Sequence, residues 1–121
     1  MIEDRRRRWR FGRRAELLCT LALRLKGYRI VARDLRTPVG EIDIVARRGR
    51  TVAIVEVKGR GDPSAAGEFV QPHQRRRIER AAGWLLQAHP EWAALDWRYD
   101  VILVEPWRPP RHIVDAWRND D

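Results

Sequence analysis

The stretch GEIDIVARRGRTVAIVEVKGR, Gly40 to Arg60, carries Glu41, Asp43, Glu56 and Lys58 where a hairpin would ordinarily alternate apolar and inert polar residues. Strands over Glu41–Arg47 and Thr51–Lys58, joined by a tight turn centred between Gly49 and Arg50, pair residue 44 with 55, 43 with 56 and 41 with 58. Alternation then places Ile42, Ile44, Ala46, Ala53, Val55 and Val57 on one apolar face. The other face holds Glu41, Asp43, Val45, Val52, Ile54, Glu56 and Lys58. That second face is apolar near the turn and charged at its far end, which predicts a covering helix with the charges at its rim. A solvated sheet face would be polar along its whole length. Like charges directly opposite destabilise a sheet, and at partial burial one carboxylate of an Asp43–Glu56 pair stays protonated. A divalent cation removes the conflict, because two carboxylates offer the hard oxygens that Mg²⁺ or Mn²⁺ prefers.

Lys58 adds a third group to the same face. The chain has 23 arginines and two lysines, Lys26 and Lys58, so lysine here stands out. Arginine is a fork that stays charged, whereas lysine is a compact point charge whose pKa can shift. Beside a metal-bound water it can position that water, stabilise a pentavalent phosphate or help in proton transfer. A simpler role for Lys58 alone is an ion pair with Glu41 opposite it.

These residues need elements to hold them. From about Phe11 to Lys26 a helical stripe of Ala15, Leu18, Ala22 and Leu25 is widened by Leu17 and Leu21, and Gly27 ends it. A strand follows in YRIVARDLR, broken by Thr37 and Pro38 before the hairpin. GDPSAAGEF reads as a loop, and Pro72 opens a second helix with Ile78, Ala81, Ala82, Leu85 and Leu86 inward. His89-Pro90 stops that helix, and WRYDVILVE, apolar from Val101 to Val104, fits a strand buried in a sheet. RHIVDAW is a candidate edge strand or turn of helix. The order α-β-β-β-α-β describes an α/β (α+β) domain with helices on a central mixed sheet. Trp84 and Trp97 are expected in the core.

At 121 residues, 44% of them hydrophobic, the chain is expected to be one folded domain over residues 11–121 behind a basic flexible arm over residues 1–10. No apolar run spans a bilayer and no apolar signal region follows the first arginines, so the cytoplasm is the expected location and no membrane partner is expected. The lone Cys19 leaves no internal disulfide and no cysteine-based zinc site. His73, His89 and His112 lack metal-ligand spacing and are expected to be solvated or capping. The formal net charge of +8 is concentrated: seven arginines fall within residues 1–14, and Arg75, Arg76, Arg77 and Arg80 cluster on the second helix. Such clusters neutralise phosphates and release counterions, which points to an acidic polymer, nucleic acid first. A solvated face would use the same residues.

Asp43, twelve intervening residues, then Glu56-Val57-Lys58 behind an α-β start resembles the PD-(D/E)XK nuclease superfamily. Gly12 with Glu16, KGYRIVARDLR, GEIDIVA, VAIVEVKGR and FVQPHQRRRIERAAGWLL together resemble the YraN family over roughly residues 11–116. These small bacterial proteins are regarded as related to Holliday-junction resolvases and similar endonucleases. The resemblance implies a restriction-endonuclease-like core and one or two Mg²⁺ or Mn²⁺ ions held by Asp43, Glu56 and Glu16. It implies Lys58 as the catalytic lysine, and leaves the role of Glu41 open. Glu16 lies beside Cys19, Thr20 and Leu23, at the buried edge of its helix, although an acid near a helix N-terminus is also favoured by the macrodipole. The superfamily's proline is Ile42 here, and a lysine common in the second-helix block is replaced by Gln74.

The expected activity is metal-dependent hydrolysis of phosphodiester bonds in DNA, in branched or flapped structures, with Arg13, Arg14, Gln74, Arg75, Arg76 and Arg77 on the backbone. By analogy with junction resolvases a homodimer is expected. The alternative is a nucleic-acid-binding protein that keeps the fold without turnover. A weaker third reading is a scaffold binding a partner through exposed tryptophans, and Trp9 is a candidate to stack on a base.

Overall fold

The computed structural model describes residues 2–59 and 70–119, with side chains from Arg13 onward. Helix α1 (Ile2–Leu25) leads into strands β1 (Arg29–Thr37), β2 (Gly40–Arg48) and β3 (Thr51–Gly59). Helix α2 (Pro72–Ala88), a 3-10 turn (Pro90–Ala94), β4 (Asp96–Val104) and β5 (Arg111–Trp117) complete the order. The strands form one mixed sheet in the order β1-β2-β3-β4-β5, antiparallel except for the parallel pair β3/β4. The crossover through α2 is what makes that pair parallel. RHIVDAW is the edge strand β5, which leaves β4 inside the sheet as its apolar run requires. No helix among the described residues is long and apolar enough to cross a membrane.

The helices cover opposite faces. One core joins α1 to the sheet through Ala15, Cys19, Leu23, Ile44, Ala46, Ala53, Val55 and Ile102. The other joins α2 and the 3-10 turn through Ile78, Ala81, Leu85, Trp92, Val45, Val52, Ile54 and Val101. The inward face of α2 is as its periodicity predicts, with Leu86 at the partly buried margin.

Helix α1 differs from its sequence reading in two ways. It begins at Ile2, so the backbone of residues 2–10 is helical where a flexible arm was expected to precede a helix starting near Phe11. Arginine is a good helix former and no proline interrupts it. The side chains of those residues, Trp9 included, lie outside the described set. The inward stripe is also rotated. Ala15, Cys19, Thr20 and Leu23 are buried, whereas Leu17, Leu18 and Leu21 are about half exposed and Leu25 is largely exposed. Small residues let the helix approach strands that present Ala46 and Ala53, and the larger leucines are left on its flank. The C-terminus does follow the sequence. Gly27 sits at φ 91°, its N–H donates to the Arg24 carbonyl, and the Tyr28 N–H reaches back to Leu23. This is a Schellman cap, whose left-handed residue favours glycine.

The hairpin register is as expected from Arg48↔Thr51 to Ile44↔Val55, and there the β2–β3 ladder ends. Beyond that point β2 continues with β1 to Thr37↔Gly40, while β3 continues with β4 to Gly59↔Val104. Alternation also breaks here. Ile42 joins the α2-side core opposite Leu35, not the face of Ile44. The break coincides with Asp34, held at φ 48° between the Arg33↔Ile44 and Leu35↔Ile42 pairs. Gly40 packs so closely on α2 that a Cβ there would lie 2.8 Å from the Arg77 carbonyl oxygen.

Two further expectations are corrected. Trp84 is 39% exposed on α2 instead of lying in the core, while Trp97 packs partly buried against it. The His112 side chain is buried on an aspartate, because β5 folds over β4 and brings it there. His89, by contrast, is the α2 C-cap residue and stacks on Trp92 at 4.2 Å between ring centres.

Candidate active site

The parting of β2 and β3 creates the site. Asp43 lies one residue past the last paired position, and its Oδ2 accepts the Val57 backbone N–H at 2.8 Å. A carboxylate thus takes a strand donor at the point where the β2–β3 ladder has ended. Glu56 is hydrogen-bonded to Asp43 through its side chain and is buried, at 7% exposure. Its Oε2 has no hydrogen-bond partner. Lys58 is equally buried, and its Nζ donates to Gln74 Oε1 on α2 at 3.1 Å.

Burial raises the Glu56 carboxyl well above its ordinary value, and the Asp43 charge raises it further against the opposing pull of Lys58. Asp43 is also raised, again by burial first, but the Val57 N–H, the Glu56 hydrogen bond and Lys58 all pull it down. Glu56 therefore keeps the shared proton and Asp43 keeps the charge. This is the outcome that two facing carboxylates impose when they cannot both ionise.

Glu16 reaches the same region from α1. Its carboxyl is pushed up to about 7 by burial, by a hydrogen bond to Asp34 and by the charges of Asp34 and Asp43. Burial, with the charges of Asp43 and Glu16, raises the Cys19 thiol to about 12, so it is a packed core group. Asp34 is the functional candidate that sequence reasoning missed. It looks like one more polar residue of an exposed strand, and only its left-handed backbone opposite Asp43 turns it toward Glu16.

The other expected residues separate. Glu41 leaves the cluster: it is exposed and lies 3.9 Å from Arg36 across the β1–β2 pair, so it does not pair with Lys58. Beyond Ile44↔Val55 there is no ladder to bring residues 41 and 58 together. Gln74 orients Lys58. Arg75 is part of the packing, its Nε donating to the Val70 carbonyl at 2.8 Å and its guanidinium lying 6.0 Å from the Trp117 ring. Arg13, Arg14, Arg76 and Arg77 are exposed.

Asp43 and Glu56 suit a small hard cation. Two carboxylates are enough for an ion that keeps several waters, and the unpartnered Glu56 Oε2 is a buried oxygen in need of a partner. Among the described residues no three His, Cys, Asp or Glu side chains come together closely enough to hold an ion.

A second buried polar cluster, also unseen in the sequence, lies on β4. Asp100 is fully buried and receives Arg98 through two hydrogen bonds of 2.8 Å, His112 Nε2 at 2.8 Å and the Asp115 N–H at 3.0 Å. Burial pushes its carboxyl up, but the bonds from His112 and Arg98 outweigh burial and hold it below its ordinary value. Arg98 continues to the Tyr28 hydroxyl, and His112 Nδ1 faces Lys26 at 3.0 Å. Every member is partnered, so the cluster fastens β5 and the end of α1 to the sheet.

Fold and site thus define a class: a mixed five-stranded sheet between two helices, with a carboxylate pair and a lysine where two strands part. The comparisons give the family. The model of the uncharacterised protein family UPF0102 matches residues 15–104, and the chain belongs to that family. A UPF0102 protein of Parvibaculum lavamentivorans is 60% identical over 110 residues, covering 91% of this chain and 83% of the relative. One from Paramagnetospirillum magneticum is 53% identical, covering 92% and 89%. Another from Caulobacter vibrioides is 48% identical, covering 88% and 85%.

Proposed function

We propose that the chain is a divalent-metal-dependent endonuclease of the PD-(D/E)XK superfamily, hydrolysing phosphodiester bonds in DNA with branched or flapped segments. The observation that carries this reading is half-buried Asp43 hydrogen-bonded to buried Glu56, with buried Lys58 beside them. Burial and the Asp43 charge hold a proton on Glu56, and a bound cation would take that proton's place. Asp43 and Glu56 would hold Mg²⁺ or Mn²⁺, which when bound supplies Lewis-acid polarisation of the phosphate and an activated water.

The chain's own groups do the rest. Glu56 releases the proton it shares with Asp43, so that both carboxylates offer charged oxygens. Lys58, aimed by Gln74, places its Nζ where a phosphate gains negative charge, in a buried site. Glu16, with its carboxyl near neutrality, takes up or releases a proton at working pH. Arg13, Arg14, Arg76 and Arg77 hold the backbone phosphates from both helices. The protein would act in the cytoplasm, as a homodimer where two strands are cut.

The second reading, nucleic-acid binding without turnover, draws on the two-carboxylate donor set. The test uses labelled linear duplex and four-way-junction DNA with Mg²⁺ or Mn²⁺. Wild type cleaves, with the junction preferred, while Asp43→Asn and Lys58→Ala bind without cutting. Binding without cleavage in either metal overturns the nuclease reading in favour of the second.

A further inference from the structure

Trp107 lies completely in solvent, in the segment between β4 and β5. Its backbone sits at φ 67°, the left-handed region that bulky side chains rarely adopt. Pro106, Pro109 and Pro110 restrict the chain around it. An aromatic of this size presents about 150–250 Å² to water when unburied. The fold therefore bears both an unfavourable conformation and unfavourable exposure here, a combination found where a ligand is met. Beside Trp107 runs a largely apolar groove between α1 and this segment, lined by Leu18 and Pro106 and by the cationic Arg14 and Arg108. Glu105 also lines it, 4.0 Å from Arg108.

The groove's place in the sheet gives it meaning. Gly59 pairs with Val104 and Lys58 with Leu103, so the Trp107 segment leaves the sheet at the strand end where Lys58 sits, with the groove on the α1 face and the Lys58 side chain turned to α2. This is the carboxyl end of the one parallel pair in the sheet, and carboxyl ends of parallel strands are where open α/β sheets receive ligands. Arg14 stands two residues before Glu16 on α1.

We infer that Trp107 and the groove beside it form a stacking subsite for one unpaired nucleotide, with Arg14 and Arg108 on the adjoining phosphates. The inference rests on the nucleic-acid reading above and deepens it, since the subsite would confer preference for DNA with a single-stranded segment. An apolar wall, an exposed ring and two flanking guanidiniums match a flat base attached to phosphates. A paired base keeps its faces stacked within the duplex and cannot use such a subsite. A second copy of the chain fits poorly, because a symmetric contact would bring the cationic groups of the two copies together.

The test measures binding of labelled single-stranded, flapped and duplex oligonucleotides of equal length, at fixed salt in chelator. The proteins are wild type, Trp107→Ala and Trp107→Phe. Trp107→Ala should weaken single-stranded and flapped binding roughly tenfold, leave duplex binding within about twofold, and be largely rescued by Trp107→Phe. Its thermal unfolding should match wild type, since the side chain is fully exposed. Unchanged binding to every form, or equal loss on all forms, overturns the subsite while leaving the nucleic-acid reading standing. Wild type that binds none of the forms overturns both. Loss of a wild-type dimer in Trp107→Ala, with DNA binding intact, overturns the subsite in favour of an interface between copies.

Discussion

Replacing Glu56 by glutamine tests the protonation of the buried acid pair. In the folded protein burial and the Asp43 charge keep the Glu56 proton in place, so a neutral amide of the same shape can donate to Asp43 in its stead. Stability near the acid end of the folded range should therefore change little. In the unfolded chain Glu56 ionises near its ordinary value, about 4.3. A folded-state pKa raised above that value contributes stability that is complete below the unfolded pKa and is lost as pH rises through the folded one. Between the two, wild type holds one more proton folded than unfolded and loses about 1.4 kcal/mol of stability per pH unit from this group alone. Glu56→Gln has no such proton. Its advantage over wild type should grow by about 1.4 kcal/mol per unit from about pH 5 upward, levelling once the folded Glu56 ionises. Glu16, raised to about 7, gives a slope of the same sign below neutrality in both proteins, which cancels in the difference. Urea unfolding of both proteins in chelator, from about pH 5 to about pH 9, reads this directly. Stability curves that stay parallel across the range would refute a Glu56 held protonated by Asp43.

Three other outcomes are expected. Asp100→Asn strips the charge from a buried partner of Arg98 and His112 and should cost about 3–5 kcal/mol in chemical unfolding. Because the folded Asp100 pKa is depressed, its contribution is present above the ordinary carboxylate range and is lost as pH falls through the folded value, so the variant's acid limb should be flatter than wild type's. Gly40→Ala puts a methyl 2.8 Å from the Arg77 carbonyl oxygen and should cost about 1–3 kcal/mol by pushing α2 off β2, read as a lowered urea midpoint. Gln74→Ala removes the acceptor that aims Lys58. It should slow cleavage about tenfold and lower stability by about 1–2 kcal/mol in urea unfolding, the scale of one lost hydrogen bond.

The sequence was legible where one short-range rule acts alone. The hairpin register followed from Gly49 and the pattern around it, and the α2 face from Ile78, Ala81, Ala82 and Leu85. Gly27 announced a helix end that the cap geometry bears out. It was misleading where two rules compete. On α1, counting apolar residues favoured Leu18 and Leu25 beside Ala15, but close approach to Ala46 and Ala53 kept Ala15 and selected Cys19 and Leu23 in place of the two leucines. The flank that included Glu16 with Cys19, Thr20 and Leu23 was the buried edge.

Within the site, extrapolating the hairpin arithmetic past Ile44↔Val55 paired Glu41 with Lys58, and the ladder's end undid that pairing. A break in a ladder has no local signature, because it depends on β1 and β4 each holding its neighbour. The same holds for Asp34 and Asp100. Each is one aspartate in a strand, and only tertiary contacts give it Glu16 in one case and Arg98 with His112 in the other.

Whether the Asp43–Glu56 pair takes a cation is decided most directly by proton release. Mn²⁺ is added to weakly buffered protein at neutral pH, and the protons freed per bound ion are counted for wild type and Glu56→Gln. Wild type should bind the ion and release more protons per ion than Glu56→Gln, the excess being the proton shared between the two carboxylates. Any proton that Glu16 gives up is common to both proteins, and Glu56→Gln should bind far more weakly. Equal binding by the two proteins, or equal proton release per bound ion, would contradict the site.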